Sequence, residues 1–183
     1  AAYNKGYERR IVGLTDASDP LLPWATGTVG SGANMAFTVA ALDDIGWFDD
    51  ALGAGTPARG GDDLAAFHDV LVSGYRIVYE PAAIILHRHH RDPEVVRRLT
   101  YSYGIALSAH LTRSVLERPG SIVRLLPQVG AGVRHGARTS RAPDVGDVPG
   151  LTGTTWRQRA GMLVGPWSYV RSRRWVRETG RAA

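Results

Sequence analysis

Apolar residues in this chain fall in short blocks separated by Gly, Pro and Asp. Leu64, Phe67, Val70 and Leu71 recur at the spacing of one helical face, which predicts a helix opening at Asp62 or Asp63 and ending at Gly74. Tyr75-Arg76-Ile77-Val78-Tyr79 alternates as a strand should, and beyond Pro81 the run Ala83-Ile84-Ile85-Leu86-His87 reads as a second, buried strand. Asp92-Pro93-Glu94 supplies an N-cap, a first-turn Pro and an acid. From there Val96, Leu99, Tyr103, Ala106, His110 and Leu111 line one helical face as far as about Leu116. Upstream, Met35-Ala36-Phe37 offers a short strand, and Thr38 caps a helix through 39–45 that Gly46 stops.

The rest is less patterned. Residues 1–26 read as an irregular lead-in, and 47–61 as a long Gly-rich loop of the kind that is usually functional or mobile. Arg118-Pro119-Gly120 breaks the chain before a further helix at about 121–136. The expected organisation is therefore an α/β unit at 27–92, a helical extension at 93–137, a linker at 138–155 and a basic amphipathic tail at 156–183.

Composition narrows the class. Of 183 residues, 44% are hydrophobic and 21% charged, which excludes a wholly disordered chain. The absence of Cys excludes disulfide frameworks, thiolate zinc sites and Cys nucleophiles together. No run approaches the ~18 apolar residues of a membrane span. The start, Ala1-Ala2-Tyr3-Asn4, has neither Met nor an apolar leader core, so the chain is expected to be a piece of a longer cytoplasmic protein.

Charge is unevenly placed. Residues 1–86 hold 5 basic and 11 acidic side chains, whereas 87–183 hold 17 and 6. An acidic working part followed by a basic part suits contact with something anionic. All but one of the basic residues are Arg, which fits phosphate contact and fits a GC-rich genome equally well.

Four constellations could carry chemistry. Gly60-Gly61-Asp62-Asp63-Leu64 places two carboxylates at a helix N-terminus, where one could act as a general base; the bland reading is an N-cap. His87 and His89, two apart at the end of a strand, could share a face and bind a divalent metal; the bland reading is a solvated loop. The Gly-rich stretch 27–34 lacks the spacing of a Walker loop or a dinucleotide fingerprint and is either a ligand-lining segment or a tight turn. The tail combines Trp156, Trp167, Tyr169 and Trp175 with seven Arg, which suits an anionic membrane surface, or a helix packed on its own domain, better than nucleic acid.

The order of these pieces resembles a known family. Gly30-Ser31-Gly32-Ala33-Asn34-Met35-Ala36-Phe37, Ile45-Gly46-Trp47-Phe48-Asp49, Gly60-Gly61-Asp62-Asp63-Leu64, Gly74-Tyr75-Arg76, Tyr79-Glu80-Pro81-Ala82 and His87-Arg88-His89 are similar to the C-terminal, acceptor-side half of family-two glycosyltransferases of GT-A fold. The likeness covers about residues 27–110; beyond it, Tyr101-Ser102-Tyr103-Gly104 and Gly165-Pro166-Trp167-Ser168-Tyr169 look like actinobacterial members of the group.

The resemblance implies an inverting sugar transfer from a nucleotide-sugar donor to a glycan or lipid-linked acceptor. Asp63 would be the base and Asp62 its assistant; Gly32, Ala33 and Asn34, with Gly60 and Gly61, would line the substrate. His87, with His89 as fallback, would ligate a Mn or Mg ion in the intact enzyme. In the family a nucleotide-binding half with an Asp-x-Asp motif precedes this region; here no two Asp flank a single residue, and 26 residues of lead are too few to hold that half. This chain alone is therefore expected to be inactive. The tail at 156–183 would dock the enzyme on the inner membrane face. The competing expectations are a non-catalytic glycan- or membrane-binding module and a metal-dependent hydrolase.

Overall fold

The computed structural model describes residues 8–14, 22–24, 26–86, 92–123 and 154–180. It is mixed in content and mostly helical. Strand β1 (Arg10–Val12) pairs antiparallel with β2 (Ile77–Tyr79), with Arg10 opposite Tyr79 and Val12 opposite Ile77. The helices are α1 (Val39–Ile45), α2 (Asp62–Val72), α3 (Pro93–Glu117) and α4 (Thr154–Thr179), with 3₁₀ turns at Thr26–Thr28 and Pro119–Ser121.

Local chemistry explains the helix ends. The Thr38 hydroxyl accepts from the Ala41 N–H, and Gly46 closes α1 in the left-handed conformation at φ 74°. The Asp92 carboxylate accepts from the Glu94 N–H, with Pro93 opening α3. Helix α2 is capped differently from expectation. Its N-cap is Gly61, and both Asp62 and Asp63 lie inside the first turn, where the helix dipole favours negative charge.

Three expectations fail. Residues 35–37 form no strand; Phe37 instead stacks its ring on Phe67, with centroids 5.9 Å apart. Residues 83–86 form no strand either, and Ile84, Ile85 and Leu86 are exposed rather than buried. An apolar run is buried only if something covers it, and among the described residues nothing pairs with this one. Conversely, the lead-in is not wholly irregular, because β1 lies within it. Three residues are too few to show alternation.

The one-face reading of α2 also needs revising. Every residue from Ala65 to Leu71 is buried, so the helix sits inside the molecule rather than on its surface. Its neighbours include the strap 26–32 and helices α1 and α3.

Helices α3 and α4 lie side by side and run in the same direction. Gly161 sits beside Tyr101 and Ile105, and Gly165 beside Ile105 and Ala109. A Cβ on Gly104 would fall 1.9 Å from the Gln158 carbonyl oxygen, and one on Gly161 2.2 Å from that of Tyr101. Only glycine allows the backbones this close, and Gly161-x-x-x-Gly165 repeats the opening one turn later. Further along, Tyr169 Oη donates to Asp49 Oδ2 at 2.8 Å and Ser172 Oγ donates to the Ala51 carbonyl at 2.6 Å. These bonds fasten α4 to the 49–52 turn, next to a core that contains Leu52, Ala58, Ala65, Ala109 and Val176.

Candidate functional site

The chain enters α2 through unusual backbone. Arg59, Gly60 and Gly61 have φ values of 64°, 131° and 100° in succession. Glycine tolerates this region and Arg does not do so readily, costing of order 1–2 kcal/mol. Arg59 is held from α3: its guanidinium lies 5.7 Å from the Tyr101 ring centroid and donates to Ser102 Oγ at 3.4 Å. A Cβ on Gly61 would meet the Ala106 carbonyl oxygen at 2.8 Å. The close approach that these glycines permit is thus an approach to α3.

The Gly-rich segment 26–34 lies along the start of α2. Thr26 Oγ1 donates to the Leu64 carbonyl at 3.0 Å, and a Cβ on Gly30 would meet the Phe67 ring at 3.1 Å. At Gly32 the contact is tighter still, since a Cβ there would stand 2.9 Å from both Cβ and Oδ2 of Asp63. The Gly32 N–H instead donates to Asp63 Oδ2 at 2.9 Å, and Asp63 Oδ1 accepts from the Leu64 N–H at 2.9 Å. Two backbone donors therefore fix the carboxylate's orientation. Each oxygen retains a lone pair for a ligand.

Asn34 follows two residues later. Its Nδ2 donates to the Ala83 carbonyl at 2.6 Å, tying the segment to the stretch after β2. Gly32, Ala33 and Asn34 are exposed, while Asp62 and Asp63 are half-buried. Gly32 and Asp63 thus meet at an open rim, with Ala33, Asn34 and Asp62 their neighbours along the chain. Burial raises the Asp62 pKa, and the neighbouring Asp63 charge adds to that, so Asp62 holds a proton more readily than an ordinary carboxyl. His87 and His89 lie outside the described residues. Among the described residues, no group of three or more His, Asp or Glu side chains is arranged to hold a metal ion.

A second polar cluster lies behind this rim, and the sequence reading did not single it out as a unit. Arg113 on α3 is buried and meets three carboxylates: Nη1 lies 2.6 Å from Asp69 Oδ2, Nε 3.0 Å from Asp49 Oδ2 and Nη2 3.1 Å from Glu117 Oε2. The Nε contact is electrostatic, without hydrogen-bond alignment. Asp69 also bonds His68 Nδ1 at 3.1 Å. Burial alone would raise the Asp69 pKa, but the His68 bond and the Arg113 charge outweigh it and lower the pKa. Burial likewise weakens the Arg113 charge, and its carboxylate partners more than restore it.

His110 stands edge-on to His68, ring centroids 5.4 Å apart, and is completely buried. Burial first, then the neighbouring His68 and Arg113, lowers its pKa to about 3, so it is neutral at ordinary pH. The available signal was slight. His110 and Arg113 follow Ala106 on the buried side of α3 at positions i+4 and i+7. The cluster's role is architectural: it joins α2, α3 and, through Asp49 and Tyr169, α4.

No protein-family model, curated protein or solved structure matches the chain. No helix among the described residues is long and apolar enough to cross a membrane.

Proposed function

We propose that this chain is the acceptor-side part of an inverting glycosyltransferase of GT-A fold, with Asp63 as the general base. The observation that carries the proposal is the hydrogen bond from Gly32 to Asp63, which brings the Gly-Ala-Asn segment against the second of the paired acids.

In the intact enzyme an acceptor hydroxyl would approach the rim and give its proton to Asp63 as its oxygen bonds the anomeric carbon. The bond from that carbon to the nucleoside diphosphate breaks on the opposite face, and the electron pair leaves with the diphosphate. Asp62, beside it, would bear on the proton's final position through its raised pKa. The exposed Ala33 and Asn34 would border the acceptor. A Mn or Mg ion at His87, with His89 as fallback, belongs to the same reading; the described residues provide no ligand set, and no step above uses one. The donor is a nucleotide-sugar and the acceptor a glycan or lipid-linked sugar.

One observation favours a second reading. Both Asp63 oxygens already accept backbone N–H bonds, which would also suit a non-catalytic module in which Asp63 only fastens the strap to α2. Transfer assays with the full-length protein separate the two. UDP-, GDP- and dTDP-sugars serve as donors, source-cell lipid extract as acceptor, and nucleoside diphosphate release as readout. Turnover by wild type that Asp63→Asn lowers at least ~100-fold, with the variant still folded at the assay temperature, supports the base. No release with any donor supports the module, and release that Asp63→Asn leaves intact removes Asp63 from the role of base.

A further inference from the structure

Helix α4 buries a stripe of small residues in the fold and leaves its opposite side exposed. Gly161, Gly165, Ser168 and Ser172 are buried toward α3 and the 49–52 turn. At 3.6 residues per turn the opposite side carries Trp156, Leu163, Trp167 and Arg174, spaced by 7, 4 and 7 residues. Exposure agrees with this geometry: Trp156 is 60% exposed, Leu163 86% and Trp167 65%. Exposed Arg159 and Arg171 lie on the two flanks of this stripe. Over Thr154–Thr179 there are six Arg and a single acid, Glu178.

We infer that this outward stripe docks the protein on an anionic lipid bilayer, with α4 lying in the plane of the surface. The chemistry of the stripe selects this occupant. Trp rings prefer the headgroup level, Leu163 would enter the acyl boundary, and the flanking guanidiniums would meet lipid phosphates. Trp and Arg also anchor protein interfaces, but a line of Trp156, Leu163 and Trp167 flanked by cations on both sides is the pattern of an amphipathic helix lying in a membrane interface. The helix is too polar to span, so the contact is peripheral. The proposal is independent of the transferase reading, because no residue of the Asp62-Asp63 rim takes part.

Co-sedimentation of the full chain tests it, using vesicles of phosphatidylcholine alone and of phosphatidylcholine mixed with phosphatidylglycerol. The chain should pellet with the mixed vesicles, less so with phosphatidylcholine, and less at high salt. Arg171→Glu combined with Arg174→Glu should weaken binding by on the order of tenfold or more. Leu163→Ser combined with Trp167→Ser should weaken it on the same vesicles. These side chains are exposed, so the melting temperature should hold in both variants. Failure to pellet with mixed vesicles overturns the inference, as does wild-type binding by both variants. So does sedimentation-velocity evidence of a dimer that Leu163→Ser with Trp167→Ser dissolves, which would assign the stripe to a second copy.

Discussion

The Gly32 N–H donates to Asp63 Oδ2 at 2.9 Å, across 31 positions of sequence. Residue 32 has no side chain, and a Cβ there would stand 2.9 Å from Cβ and Oδ2 of Asp63, too close for both to keep their places. A glycine in the strap and an acid on α2 are thus one structural unit, and the orientation of the proposed base depends on both.

Gly32→Ala tests that dependence. Its methyl must displace Asp63 or push the strap off α2, and overpacking of this kind costs about 1–3 kcal/mol. Urea denaturation should show the loss. Under the proposed function, transfer by the full-length enzyme should fall further than the change in folded fraction explains.

The Arg113 network makes a larger prediction. Arg113→Met leaves Asp69 buried beside His68 with its main cation gone, and breaking a buried pair in this way costs about 3–5 kcal/mol. Arg113→Lys keeps the charge but loses the fork that reaches Asp49, Asp69 and Glu117 together, so an intermediate loss is expected. Denaturant midpoints for the two variants check the order.

Acid should destabilise the fold through His110. In the unfolded chain this imidazole binds its proton near 6.5, and in the folded chain only near 3. Between those values the unfolded state holds more protons, so stability falls as pH falls, by about 1.4 kcal/mol per pH unit. Asp69 acts in the same sense at lower pH, because its folded pKa is depressed and its contribution is lost as it protonates. Asp62 and Glu117, raised by burial, act in the opposite sense. The urea midpoint should therefore drop between neutral pH and about pH 5, and His110→Phe should flatten that slope.

The seam between α3 and α4 is the fourth test. Gly161→Val places two methyl groups and a Cβ where the Tyr101 carbonyl already stands, at 2.2 Å from the Cβ position. The backbones must separate, and α4 should detach or the chain lose most of its stability. Faster proteolysis between 154 and 180 would report detachment. Wild-type resistance would show that the helices do not meet as described.

Much of the local structure was legible in the sequence because its causes are local. Thr38 and Gly46 bound α1 through their own hydroxyl and φ, and Asp92-Pro93-Glu94 opens α3 in the same manner. The strand expected at 83–87 came from reading an apolar run as a buried one, and burial depends on neighbours that a run does not specify. Strand β1 went unseen because a three-residue strand is defined by its partner β2.

The candidate rim divides along the same line. Asp62 and Asp63 were legible as a pair at a helix start, with a plain N-cap as the competing reading. That Gly32 closes on Asp63 follows only from tertiary packing. His68, Asp69 and Arg113 look like surface residues in isolation. His68 and Asp69 are buried because α2 is covered from Ala65 to Leu71, and Arg113 because it reaches Asp69 from α3; periodicity revealed neither.

The most direct test of the central claim is nucleoside diphosphate release by the full-length protein carrying Asp63→Asn, with lipid extract as acceptor. Asn keeps the shape and an acceptor oxygen for the Gly32 N–H, loses the bond from the Leu64 N–H at its amide group, and lacks the basicity to take a proton. The account predicts a fall of at least ~100-fold, far beyond what the loss of about 1 kcal/mol in stability from the missing Leu64 bond explains. Release within about twofold of wild type would contradict it, since general-base removal on that scale leaves no catalytic role for Asp63.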